Sequence, residues 1–186
     1  MGQPGGDGGG GARGGAAGSG AAARPADAAA YRAALAALAR RPYGTAELQA
    51  ALEGKGHAAE AVRSALLRLG ALGYLDDREY ARLVARRVAG RQGAGPARLR
   101  QVLQARGLAP DVIAAAAAEA FAGTDEGAAA AAAGRRRLVA LRGLAPGLAR
   151  RRLAGYLSRR GHGAEAIAHA LRALLPATGE DGTESD

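Results

Sequence analysis

One feature constrains this chain more than any other: a spacing that recurs three times. The segments TAELQAALEGKGHAAEAV, PARLRQVLQARGLAPDVI and RRRLAGYLSRRGHGAEAI all read L-x3-L-x3-G-x3-D/E-x-V/I without insertion. The first copy carries Leu48, Leu52, Gly56, Glu60 and Val62. The second has Leu99, Leu103, Gly107, Asp111 and Ile113, and the third Leu153, Leu157, Gly161, Glu165 and Ile167. Leucines four apart share one face of a helix. A glycine one turn later suits a left-handed C-terminal cap, because it has no Cβ. The acid then falls in the first turn of a second helix, where it complements the positive end of the dipole. That helix continues its apolar face through Leu66 and Leu69 in the first copy and Leu171 and Leu174 in the third. The middle copy has Ala117 and Ala120 there, so its helix can pack only closely or weakly.

A further helix precedes each pair, roughly over 27–40, 76–89 and 125–142. The clearest begins at Asp76, an N-cap with Glu79 three residues on, an acidic version of the capping box with Leu75 and Tyr80 as its staple. Tyr80, Leu83, Val84 and Val88 follow at helical spacing, and Gly90 is expected to end the helix. Pro96, Pro110 and Pro146 each stand where a first helical residue belongs. The fold expected is therefore all-α, a tandem array of three three-helix repeats over 27–75, 76–123 and 124–175. Composition agrees, since 53 alanines with one phenylalanine and no tryptophan leave a thin core. Such a core suits small helical units that bury part of their surface against a neighbour.

Charge is unevenly placed. The formal net charge is +9. Residues 27–175 hold 24 basic and 12 acidic groups, however, so the array itself carries +12. The excess is +2, +3 and +7 in successive repeats. Residues 1–26 are Gly/Ala-rich and residues 176–186 carry four acids and no base. Both are expected to be disordered tails, because neither can bury enough apolar surface to offset chain entropy. The sign of the second equips it to screen the array in cis. A basic field draws in polyanions or acidic protein surfaces.

No catalytic constellation stands out. With no cysteine, there is neither a thiolate site nor a disulfide framework, which fits a reducing compartment. His57 and His162 each follow the repeat glycine where the middle copy has Leu108, so the position reads as structural. His169 reads as a surface residue. Ser64 and Ser158 have no base nearby, and Asp76 and Asp77 are explained by capping. The glycine tail satisfies G-x-G-x-x-G by composition alone, with no strand before it. No secretory signal is evident, and the polyalanine runs 114–118 and 128–133 fall far short of the ~20 residues a membrane span needs. A cytoplasmic, non-enzymatic protein without metal, cofactor or membrane partner is expected.

The arginines carry the remaining chemistry. Arg78, Arg82 and Arg86 recur every four residues on one helical stripe. Arg98 and Arg100 lie near the positive N-terminal end of the next helix. Arg150, Arg151, Arg152, Arg159 and Arg160 cluster in the third repeat, near Arg135–Arg137, with Tyr156 between Arg152 and Arg160. These ten form the candidate partner- or DNA-binding surface. With five tyrosines and one phenylalanine, aromatic side chains are too sparse for a base-stacking platform.

The run Gly73-Tyr74-Leu75-Asp76-Asp77-x-x-Tyr80-Ala81, continuing through Arg86, Gly93, Gly95, Pro96, Leu99, Leu103 and Gly107, resembles the central signature of the RecX family. That family regulates the bacterial RecA recombinase, and the likeness covers about residues 30–175. The resemblance implies a curved, elongated helical array lying in the groove of the RecA–single-stranded DNA filament. It also implies binding to RecA protein and inhibition of its ATPase, recombinase and coprotease activities in DNA repair and the SOS response. Direct DNA binding would be weak, and the chain is expected to act as a monomer. The family often has an aromatic after each repeat glycine, where this chain has His57, Leu108 and His162, and its polyalanine predicts a weak second-to-third junction. Two alternatives stay open. One is a stand-alone basic helical repeat that binds nucleic acid, which steep salt dependence without RecA would mark. The other is a peptide-binding scaffold, against which the dominance of arginine and alanine outside core positions argues.

Overall fold

The computed structural model describes residues 25–91 and 93–176. The tails expected over 1–26 and 176–186 lie outside the described residues except at their inner ends, where Pro25 and Ala26 already belong to the first helix. Nine α-helices follow in order among the described residues. The first repeat holds α1 (Pro25–Leu38), α2 (Thr45–Glu53) and α3 (Ala59–Ala71). The second holds α4 (Asp77–Ala85), α5 (Pro96–Gln104) and α6 (Pro110–Phe121). The third holds α7 (Glu126–Leu138), α8 (Pro146–Arg159) and α9 (Ala164–Leu174).

The repeat positions take the conformations their chemistry requires. Gly56, Gly107 and Gly161 have φ of 85°, 73° and 80°, the left-handed region that glycine enters without strain. After each, an N–H reaches back to the second repeat leucine: His57 to Leu52 at 3.3 Å, Leu108 to Leu103 at 3.4 Å and His162 to Leu157 at 3.2 Å. This pattern returns a carbonyl that the helix end would otherwise leave unpaired. Glu60, Asp111 and Glu165 lie in the first turns of α3, α6 and α9, and the three prolines open α5, α6 and α8.

Each repeat has its own core, centred on its leucine pair. Leu48, Leu52, Leu99, Leu103, Leu153 and Leu157 are all completely buried. The thin middle helix packs closely, through Ala116 and Ala117. In the third repeat Ala130, Ala131 and Ala133 bring α7 against α9, and a Cβ on Gly134 would lie 2.7 Å from Leu174. The polyalanine thus serves close packing within the repeat.

Three local features differ from expectation. The fourth helix does not end at Gly90: it continues as a π-helical turn over Arg86–Arg91, and the left-handed residue is Gly93 with φ 56°. Asp76 caps α4 by accepting from the N–H groups of Arg78 and Glu79, but Leu75 packs in the first repeat's core and Tyr80 in the second's, so no staple joins them. Asp77 caps another helix, accepting from the Thr45 N–H of α2 at 2.8 Å.

Candidate functional site

The repeats join by one recurring contact. The first turn of the second helix in one repeat meets the glycine loop of the next. At the first junction a Cβ on Gly107 would come within 2.6 Å of Ala46 Cβ. At the second, a Cβ on Gly161 would come within 2.1 Å of the Arg98 nitrogen, and one on Gly95 within 2.4 Å of the Gly161 carbonyl. There the Gly95 and Ala97 N–H groups donate to the carbonyls of Arg160 and Gly161, at 2.8 and 3.1 Å. The N-terminal donors of α5 are thereby satisfied by the C-terminal end of α8, with the two dipoles head to tail. The second junction, predicted to be weak, is held backbone to backbone.

Equivalent positions at the two junctions carry different charges. In the first, Glu47 sits across from Arg106. It takes a 2.7 Å ion pair from Arg41, accepts the Tyr80 hydroxyl at 2.6 Å and lies 3.8 Å from Arg106. Arg106 also donates to the Tyr80 hydroxyl. Burial pushes the Glu47 carboxyl up, yet the hydrogen bonds from Arg41 and Tyr80 and the arginine charges outweigh it and hold the group below its ordinary value. Burial and the Glu47 carboxylate together raise the Tyr80 hydroxyl. At the second junction the residues in register with Glu47 and Arg106 are Arg98 and Arg160. The ion pair of one junction is replaced by two like charges at the other.

Two open clefts follow from these junctions. The first, about 1020 Å³, is lined by Arg41, Arg86, Arg87, Arg98 and Arg106 with Glu47, Tyr80 and the apolar Leu83 and Val102 among its walls. The second, about 1040 Å³, is lined by Arg98, Arg136, Arg159 and Arg160 with Gln101 and Ser158, and its lining contains no acid. Arg98 borders both, and the two clefts, here called the groove, together carry eight arginines and one carboxylate, one cleft at each junction. Arg160 also stacks on Tyr156, 5.0 Å from its centroid, and Arg137 approaches the same ring at 5.7 Å.

Of the ten arginines singled out from the sequence, Arg86, Arg98, Arg159 and Arg160 line this groove. Arg82 is instead held by Glu79 and by Glu119 at 2.9 Å, and Arg150 donates to the Leu171 and Leu175 carbonyls at the end of α9. Arg78, Arg100, Arg151 and Arg152 are exposed away from the cleft linings. Sequence reasoning missed Arg41, Arg87 and Arg106 as groove residues, and it named Arg136 beside the third-repeat cluster without counting it among the ten. A signal for Arg106 existed, because Lys55, Arg106 and Arg160 each stand directly before the repeat glycine. For Arg41, in the loop between α1 and α2, no periodicity marks it.

The three histidines differ in their surroundings. His57 is half-buried and His169 exposed. His162 is 7% exposed at the second junction, its Nε2 3.2 Å from the Gly93 carbonyl oxygen and its Nδ1 buried without a partner. Burial lowers its pKa, with the Gly93 carbonyl opposing. No group of three or more potential metal ligands occurs among the described residues, and no helix there is long and apolar enough to cross a membrane.

Fold and groove together define a tandem three-helix repeat protein with a basic inter-repeat surface. Models of the RecX second and first three-helix domains match residues 76–116 and 30–69. The regulatory protein RecX of Chlorobaculum tepidum is 32% identical over 153 residues, covering 82% of this chain and 91% of that protein. RecX of Thermus thermophilus is 48% identical over 80 residues, 43% of this chain and 54% of that one, so the match spans about half of the Thermus protein. The crystal structure of RecX from Lactobacillus salivarius superposes with a TM-score of 0.70 at 15% identity, over 80% of this chain and 96% of that one. The chain belongs to the RecX family.

Proposed function

We propose that this protein regulates the RecA recombinase by binding RecA and its filament on single-stranded DNA, inhibiting ATPase, strand-exchange and coprotease activity. The observation that carries the reading is the pair of clefts, one at each repeat junction and sharing Arg98, that eight arginines line between them. Its second cleft offers four positive charges and no acid, a setting for backbone phosphates. Its first mixes arginines with Tyr80, Leu83 and Val102, which suits an acidic protein surface with apolar neighbours. A monomer laid along the filament groove in the cytoplasm engages recombinase and phosphate together. It thereby hinders the subunit motions that turnover requires.

The test is a DNA-stimulated RecA ATPase assay with the purified chain. Suppression near stoichiometric ratios is expected. No inhibition even at excess protein would overturn the reading. Direct binding to nucleic acid is the weaker activity of the same groove, and affinity for DNA alone that matched the affinity for the filament would favour a stand-alone nucleic-acid-binding protein instead.

A further inference from the structure

The first junction shows what this repeat contact does when its charges are complete: the Glu47 carboxylate sits among Arg41, Tyr80 and Arg106. At the second junction the residue in register with Glu47 is Arg98, opposite Arg160 in place of Arg106. Arg136 and Arg159 complete that cleft, and its lining supplies no anion. Four cations facing one cleft repel one another until a counter-charge arrives.

The chain carries such a counter-charge just beyond its last described residue. Glu180, Asp181, Glu184 and Asp186 follow Pro176 with no basic residue among them. The point of departure is fixed, because Arg150 holds the Leu175 carbonyl. It is also within reach of the cleft: Arg150 and the cleft residue Arg159 stand on the same helix, α8, nine residues or about 14 Å apart at ~1.5 Å per residue. At ~3.3 Å per residue, Glu180 can lie about 13 Å from Pro176 and Asp186 about 33 Å.

We infer that the acidic segment 177–186 occupies the cleft between the second and third repeats in cis, supplying the carboxylates that Glu47 supplies at the first junction, and competes there with nucleic-acid phosphate. The inference rests on the reading of the groove as a phosphate-binding surface. A tether this short gives the segment a millimolar effective concentration, so even a weak contact competes. The competition fades as salt screens both partners.

The experiment measures binding of a fluorescent 20-nucleotide oligothymidylate to the full chain, to a chain ending at Pro176, and to a full-length variant with E180Q, D181N, E184Q and D186N. No recombinase is present, so the result is independent of the ATPase test. Both altered chains are expected to bind about threefold or more tighter than the parent at 50 mM salt, with the gain shrinking towards 200 mM. Introducing R136A with R159A is expected to abolish the gain. Unchanged affinity on truncation at low salt, or no binding by any of the chains, would overturn the inference. So would a gain that survives R136A/R159A, since the acids would then act elsewhere. Failure here with intact RecA inhibition removes the inference alone, whereas loss of RecA inhibition removes the functional reading.

Discussion

Gly161 and Arg98 meet so closely that a Cβ on the glycine would lie 2.1 Å from the arginine's backbone nitrogen. The repeat glycine therefore does two jobs, reversing the chain at φ 80° and seating the preceding repeat. Gly56 does only the first, since nothing approaches its Cβ position within 4 Å. Replacing Gly56 with alanine should cost about 1–2 kcal/mol, the penalty of a left-handed L-residue. Gly107→Ala adds a 2.6 Å conflict with the Ala46 side chain, and Gly161→Ala a conflict with backbone that cannot yield. The expected order of thermal destabilisation is Gly56→Ala, then Gly107→Ala, then Gly161→Ala, the last by at least about 3 kcal/mol or with an early separate transition of the third repeat. Calorimetry checks this, and equal shifts for all three would show that only the turn matters.

The Glu47 hub predicts an acid-sensitive first junction. Its carboxyl lies below its ordinary value in the fold, so the folded state binds the proton less well than the unfolded chain. The contribution is full above the unfolded value of about 4.3 and is lost as pH falls through the lower folded value. Glu47→Gln should remove this portion of the acid transition while lowering stability at pH 7 by about 1 kcal/mol. Tyr80→Phe, which deletes the hydroxyl linking Glu47 and Arg106, should cost a similar amount. Urea unfolding at pH 7 and pH 3.5 measures both.

Much of this architecture is legible in the residues because the repeat positions act locally. Leu99 and Leu103 need only helical spacing to find a core, and Gly107 needs only its missing Cβ to close a helix. The junctions are less legible. Gly107 and Gly161 also yield to an incoming helix, a contact between residues more than fifty positions apart that no local period encodes. Asp77 looks like part of its own helix cap, yet it serves Thr45 across the junction. For the groove, charge counting names arginines but does not say which of them the fold brings to the clefts. Arg150 looks the same in sequence as Arg159 and is separated from it by the α9 carbonyls, whereas Arg82 differs from Arg86 by a local partner, Glu79, and by a tertiary one, Glu119.

His162 makes the second junction sensitive in a different pH range. Burial depresses its pKa in the fold, so the unfolded chain takes up a proton first, at about 6.5. Stability is therefore full above that value and declines as pH falls from it towards the folded value, below which the slope ends. Substituting leucine, the residue the middle repeat has here, removes the unpaired Nδ1. His162→Leu should abolish the stability change between pH 7 and 5.5 while the acid transition tied to Glu47 remains. Thermal melts across that range check the assignment, and an unchanged pH slope in His162→Leu would rule it out.

The difference between groove arginines and anchored ones can be tested with single substitutions. Arg136 borders the acid-free cleft, whereas Arg150 caps α9 through main-chain carbonyls. Each phosphate contact on a single strand contributes about 0.7 to the slope of log affinity against log salt. Arg136→Ala and Arg159→Ala should each weaken oligothymidylate binding and flatten that slope by about 0.7, with little change in melting temperature. Arg150→Ala should do the reverse, lowering the melting temperature by a few degrees for the loss of about 1 kcal/mol and leaving the slope nearly intact. The contrast distinguishes a localised groove from a diffuse positive field. In a diffuse field each of the three substitutions removes the same charge, so all three would flatten the slope alike.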